Sequence, residues 1–150
     1  METIEMDRFI EEKEGMSIRE IFETYGEEYF RNCESNTLIE LQAKDHAVIS
    51  CGGGVALRAS NTELMKKNGY GIWLTADPEE ILERVRHSTE RPLLNGHMNV
   101  PYISELMKSR EAKYRAAADI IINTTGKDVI TICEELLQNL SILQNMNGEN

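Results

Sequence analysis

Short apolar runs alternate along this chain with longer stretches in which apolar residues recur every three or four positions. Four of the short runs read as strands: residues 3–6, 47–51, 71–75 and 120–123. Ile18, Ile21, Phe22 and Tyr25 form one helical stripe, and Phe30, Cys33, Leu38 and Leu41 suggest another. Asp77-Pro78-Glu79-Glu80 marks a helix start, with an acid to cap it, proline in the first turn and carboxylates at the positive end of the dipole. Ile81, Leu82 and Val85 continue that helix. A last helix, capped by Asp128, runs through Ile130, Cys133, Leu136, Leu137 and Leu140. Strands alternating with helices predict one α/β domain, residues 1–150, built on a parallel sheet. Val48-Ile49 and Ile120-Ile121-Ile122 are apolar at consecutive positions, as expected of strands covered on both faces. The polar tail, residues 145–150, is expected to fray.

Composition narrows the possible functions. At 150 residues the chain suits a single core. No apolar run approaches the ~18 to 20 residues needed to cross a bilayer. Glu2, Glu5 and Asp7 follow Met1 where a signal peptide would be basic and then apolar, so a cytoplasmic location is expected. The three cysteines, Cys33, Cys51 and Cys133, are widely spaced, which predicts reduced and mostly buried thiols rather than zinc ligands or disulfides. The net charge of −10, from 26 acidic and 16 basic residues, repels nucleic acid and anionic membranes, and neither is expected as a partner. An anionic substrate would then need a few arginines focused in one cleft.

Three features could carry chemistry. Gly52-Gly53-Gly54 directly follows a predicted strand, and without Cβ atoms its backbone can approach a ligand closely. A flexible turn would read the same way. Arg91-Pro92-Leu93-Leu94-Asn95-Gly96 suits a lid that brings positive charge to a phosphoryl group, or an exposed linker. Arg31 and Arg110 could hold a carboxylate in their guanidinium forks, or be solvated helix residues. Asp7 could bond sugar-like hydroxyls or cap a helix over residues 8–14. His46, His87 and His97 are scattered and read as surface residues.

Taken in order, these pieces resemble the shikimate kinase family over residues 5–137. Glu5-Met6-Asp7-Arg8-Phe9-Ile10-Glu11 is similar to the family's D-x-D-x-x-I-E segment. Gly15-Met16-Ser17-Ile18-Arg19-Glu20-Ile21-Phe22, then Gly26-Glu27, Phe30-Arg31 and Glu34 follow its next run. Gly52-Gly53-Gly54, Arg91-Pro92-Leu93-Leu94 and Arg110 with Tyr114 complete the set. The resemblance implies transfer of the γ-phosphoryl group of ATP to the 3-hydroxyl of shikimate, with Mg²⁺, in aromatic amino acid biosynthesis. It also implies roles by position. Asp7 would bind and orient the substrate hydroxyls, Arg31 and Arg110 would grip its carboxylate, and Gly52, Gly53 and Gly54 would cradle it. Arg91 would meet the ATP phosphates, Lys127 would lie beside the adenine, and Glu5 would stand near the metal.

The implied fold is the three-layer parallel sheet of the nucleoside monophosphate kinases, with strand order 2-3-1-4-5. That family opens with a strand, a G-x-x-x-x-G-K-S/T phosphate loop and a helix. No such motif occurs in these 150 residues, so the central strand 1 is expected to be missing from the sheet. Two expectations follow: a shikimate kinase given from too late a start or as a fragment, or a relic that binds shikimate or a partner chain without catalysis. A gluconate kinase of the same fold is a weaker alternative, against which the glycine, Phe30-Arg31 and Arg91 motifs argue.

Overall fold

The structure, a computed structural model, describes residues 1–85 and 99–148. The chain opens with β1 (Glu2–Glu5), followed without a break by α1 (Met6–Glu14). Asp7 therefore lies inside the first helical turn, where its carboxylate favours the dipole, and Glu5 takes the cap position that Asp7 was expected to fill. Gly15, at φ 71°, ends α1 in the left-handed conformation, and its N–H returns to Glu11 O. Ser17 and Glu20 then form a reciprocal capping box that starts α2 (Ile18–Tyr25). α3 (Glu27–Leu41) leads to β2 (Ala47–Ser50), and the triple glycine turns into a 3₁₀ turn (Val55–Leu57) and α4 (Ala59–Asn68).

The second half repeats the alternation with β3 (Ile72–Thr75), α5 (Pro78–Val85), α6 (Val100–Ala117), β4 (Ile120–Asn123) and α7 (Val129–Met146). Asn99 caps α6 by accepting from the Tyr102 N–H, and Asp128 caps α7 from the Thr131 N–H, as its position predicted.

The strands pair in parallel, β1 with β2 and β3 with β4. Among the described residues they form two separate two-stranded sheets rather than one continuous sheet. Ile4, Met6, Leu38, Leu41 and Val55 make one core cluster under the first sheet, with Ala47 and Ile49 packed against it. Ile10, Ile18, Ile21 and Phe30 make another, where α1, α2 and α3 meet. Each such apolar side chain contributes roughly 1.5 to 3 kcal/mol when fully buried.

Coverage on both faces, expected from the consecutive apolar positions, is not what the described residues show. Val48 is 51% exposed, Leu74 55% and Ile121 45%. The alternation inherent to a strand puts Ala47 and Ile49 on the covered face and Val48 on the other. α7 likewise buries none of its residues fully: Ile130 and Leu137, two members of its predicted stripe, stay exposed. The thiols depart from expectation too, since only Cys33 is half-buried while Cys51 and Cys133 are exposed. Burial and a hydrogen bond to Glu14 push the Cys33 thiol up to about 11.

Candidate active site at the triple-glycine turn

Three helices converge on the turn that follows β2. Asp7 comes from the first turn of α1, Arg31 and Glu34 from α3, and Arg110 and Tyr114 from α6. Each glycine faces a different part of this group. A Cβ placed on Gly52 would stand 3.0 Å from Asp7 Oδ1 and 3.1 Å from Glu34 Oε2. One on Gly53 would stand 3.1 Å from the Tyr114 hydroxyl and 3.2 Å from Arg110 Nη1. One on Gly54 would overlap the Arg31 guanidinium. A side chain at Gly54 would displace the Arg31 guanidinium, and one at Gly52 or Gly53 would press on polar neighbours that would have to give by a few tenths of an ångström.

Arg31 is held firmly. Its Nη1 donates to Glu34 Oε1 at 2.8 Å, and its Nη2 and Nε donate to Glu27 Oε2 at 3.1 and 3.3 Å. Residues 31, 34, 38 and 41 recur at helical spacing, which puts this ion pair on the same buried face of α3 as Leu38 and Leu41. Glu34 is almost wholly buried. Burial raises its carboxyl above the ordinary carboxylate range; Arg31 opposes the rise, and the Asp7 charge adds to it.

Arg110 differs from Arg31 in one respect. It is half-buried, and its Nη1 donates to the Tyr114 hydroxyl at 3.2 Å, but no carboxylate among the described residues forms an ion pair with it. A guanidinium so placed, beside a second one, suits an incoming carboxylate. Asp7 stands at the other end of the glycine turn, next to Gly52.

The structure thus gathers Asp7, Arg31, Gly52, Gly53, Gly54 and Arg110 into one place. Lys127 is not part of it: it follows β4 and pairs with Glu135 at 2.8 Å. Glu5 is exposed at the end of β1. Arg91 lies outside the described residues. Two members of the cluster entered the sequence reading only as parts of the family-like motifs, without a role: Glu34, three residues after Arg31, and Tyr114, four after Arg110. Both spacings put the pair on one helix face, a signal that could have assigned them to the site.

A cavity of about 480 Å³ lies beside the turn, lined by Trp73, Leu74, Ala76, Ile81, Met107 and Ile121 among others, with Tyr114 in its wall. Its lining is mainly apolar, whereas the groups suited to a hydroxylated acid gather at the glycines.

Comparison with known proteins points to one family. The family model for shikimate kinase matches residues 1–141. A shikimate kinase of Dehalococcoides mccartyi is 39% identical over 145 residues, covering 97% of this chain and 82% of that protein. One from Caldanaerobacter subterraneus is 40% identical over 135 residues, 90% of this chain and 78% of its own. The solved shikimate kinase from Acinetobacter baumannii in complex with shikimate superposes with a TM-score of 0.88 at 33% identity, covering 96% of this chain and 79% of that one. A second structure, from Aquifex aeolicus, gives 0.80 at 33% identity over 97% of this chain and 83% of its own. By the family model, these relatives and the shared parallel α/β fold, the chain belongs to the shikimate kinase family.

Proposed function

We propose that the glycine turn is the shikimate site of an ATP-dependent kinase that phosphorylates the 3-hydroxyl in aromatic amino acid biosynthesis. Arg110 and Arg31 hold the substrate carboxylate, and Gly52, Gly53 and Gly54 let the ring lie against the backbone. Asp7 hydrogen-bonds the ring hydroxyls and orients the reacting one. That hydroxyl oxygen bonds to the γ-phosphorus, the bond to the β–γ bridging oxygen breaks, ADP leaves, and Asp7 accepts the proton. Arg91 brings positive charge to the phosphates of ATP. Lys127 lies beside the adenine, leaving Glu135 to do so.

Mg²⁺ would neutralise charge on the transferring phosphates. No group of three metal-ligating side chains exists among the described residues. Glu5, exposed at the end of β1, is the carboxylate that would meet the metal.

The single observation that carries the substrate reading is Arg110, half-buried at the glycine turn with no carboxylate partner among the described residues. Calorimetric titration of shikimate into the protein tests it. Wild type is expected to bind, and Arg110→Ala to lose about tenfold or more in affinity, the scale of a charge-assisted hydrogen bond. Equal affinity in the two proteins would remove Arg110 from the site.

We also infer that these 150 residues bind shikimate without turning it over by themselves. They contain no G-x-x-x-x-G-K-S/T phosphate loop, whose backbone nest, lysine and hydroxyl do the central work of positioning. Among the described residues the strands form two separate parallel pairs, which leaves room for the further strand that the order 2-3-1-4-5 sets at its centre, and the exposed Val48, Leu74 and Ile121 leave sheet faces for a covering element. The same exposed faces favour the second reading, a non-catalytic protein that binds shikimate or a partner chain. Turnover once a strand and phosphate loop are supplied separates the two.

A further inference from the structure

We propose that Tyr114 is a positioning residue for the substrate carboxylate: its hydroxyl ties Arg110 to the glycine turn and fixes where the guanidinium points. The proposal rests on the shikimate-site reading above and deepens it.

Tyr114 lies one helical turn beyond Arg110 on α6, so both side chains leave the same face of the helix. The hydroxyl uses both of its hydrogen-bonding capacities at once. It accepts from Arg110 Nη1 at 3.2 Å and donates to the Gly53 carbonyl at 2.5 Å. The ring is itself held edge-on to Trp73 of β3, with centroids 5.6 Å apart. A side chain anchored at both its ring and its hydroxyl makes a stiff strut between α6, β3 and the turn.

Two consequences follow for binding. Arginine has many rotamers, and restraining it before the ligand arrives removes part of the ordering cost from association. Arg31 is restrained by Glu34 and Glu27. Arg110 has no such carboxylate among the described residues, and Tyr114 supplies a neutral restraint in its place. A carboxylate there would pin the arginine but also cancel the charge that an anionic substrate needs, whereas a phenol leaves the charge intact. The second consequence concerns the backbone. In a planar trans peptide the carbonyl of Gly53 and the N–H of Gly54 point in opposite directions. Holding the carbonyl toward Tyr114 therefore turns the Gly54 N–H away from it, and no described group accepts from that N–H. One hydroxyl orients both a guanidinium and a backbone donor.

Tyr114→Phe in the full chain tests this, since it removes only the hydroxyl and keeps the ring on Trp73. Two ligands are titrated by NMR chemical-shift mapping: shikimate and its neutral methyl ester, which retains the ring hydroxyls. Shikimate is expected to lose about fivefold in affinity, the scale of one hydrogen bond, and the ester less than about twofold. The circular dichroism spectrum should match wild type. Equal losses for the two ligands would show a merely structural role, and an unchanged shikimate affinity would show none; either result overturns the proposal. Absence of shikimate binding by wild type would remove the site itself, a failure distinct from wild-type binding that Tyr114→Phe leaves intact.

Discussion

Glu34 occupies a costly position at the residue scale. Its carboxylate is buried, and the Arg31 charge does not fully offset that burial, so its affinity for a proton is higher in the folded protein than in the unfolded chain. The direction of the pH dependence follows. A raised folded pKa stabilises the fold below the unfolded carboxyl range, and that contribution is lost as pH rises through the folded value. Glu34→Gln has no such titration. The thermal midpoint of wild type relative to Glu34→Gln is therefore expected to rise between pH 8 and pH 5, measured by circular dichroism. A constant difference across that range would show that Glu34 titrates normally. In return the carboxylate pins the Arg31 guanidinium against Gly54.

Among the elements, α3 and α7 show how differently one kind of apolar pattern can be used. α3 buries Phe30, Leu38 and Leu41 together with Arg31, Glu34 and Thr37, so one face carries both core and site. α7 has an equally apolar stripe but buries no residue fully, and Ile130 and Leu137 face outward. Few buried contacts imply a low free energy of local opening. Amide hydrogen exchange of the 150-residue chain should be faster across α7 than across α3, read by mass spectrometry of their peptides. Protection of α7 equal to that of α3 would contradict this. Both helices were legible as helices, from apolar spacing in α3 and from Asp128 as the cap of α7. Which of their faces would be covered was not, because coverage depends on elements distant in sequence.

For the whole molecule, the two separate two-stranded sheets among the described residues and the charged groups gathered at the glycine turn frame what the chain can do. Asp7, Arg31 and Arg110 meet at the glycine turn, and no G-x-x-x-x-G-K-S/T motif occurs in these 150 residues. A coupled assay on this chain should show no shikimate-dependent consumption of ATP. Turnover at an ordinary kinase rate, about 1 to 100 per second, would falsify that expectation.

The sequence by itself determined the α/β alternation, the cap at Asp128, and the family, through motifs whose order is as informative as their content. It also placed Asp7, Arg31, Gly52, Gly53, Gly54 and Arg110 among the candidates, since each belongs to a local run. Tertiary structure alone decided that these six meet, that Glu34 is buried beside them, and that Tyr114 bridges Arg110 to Gly53 across 61 positions of the chain. It also decided that Val48 and Ile121 lie open. Local spacing specifies which way a side chain leaves its own element, whereas burial and contact depend on what the rest of the fold brings to that face.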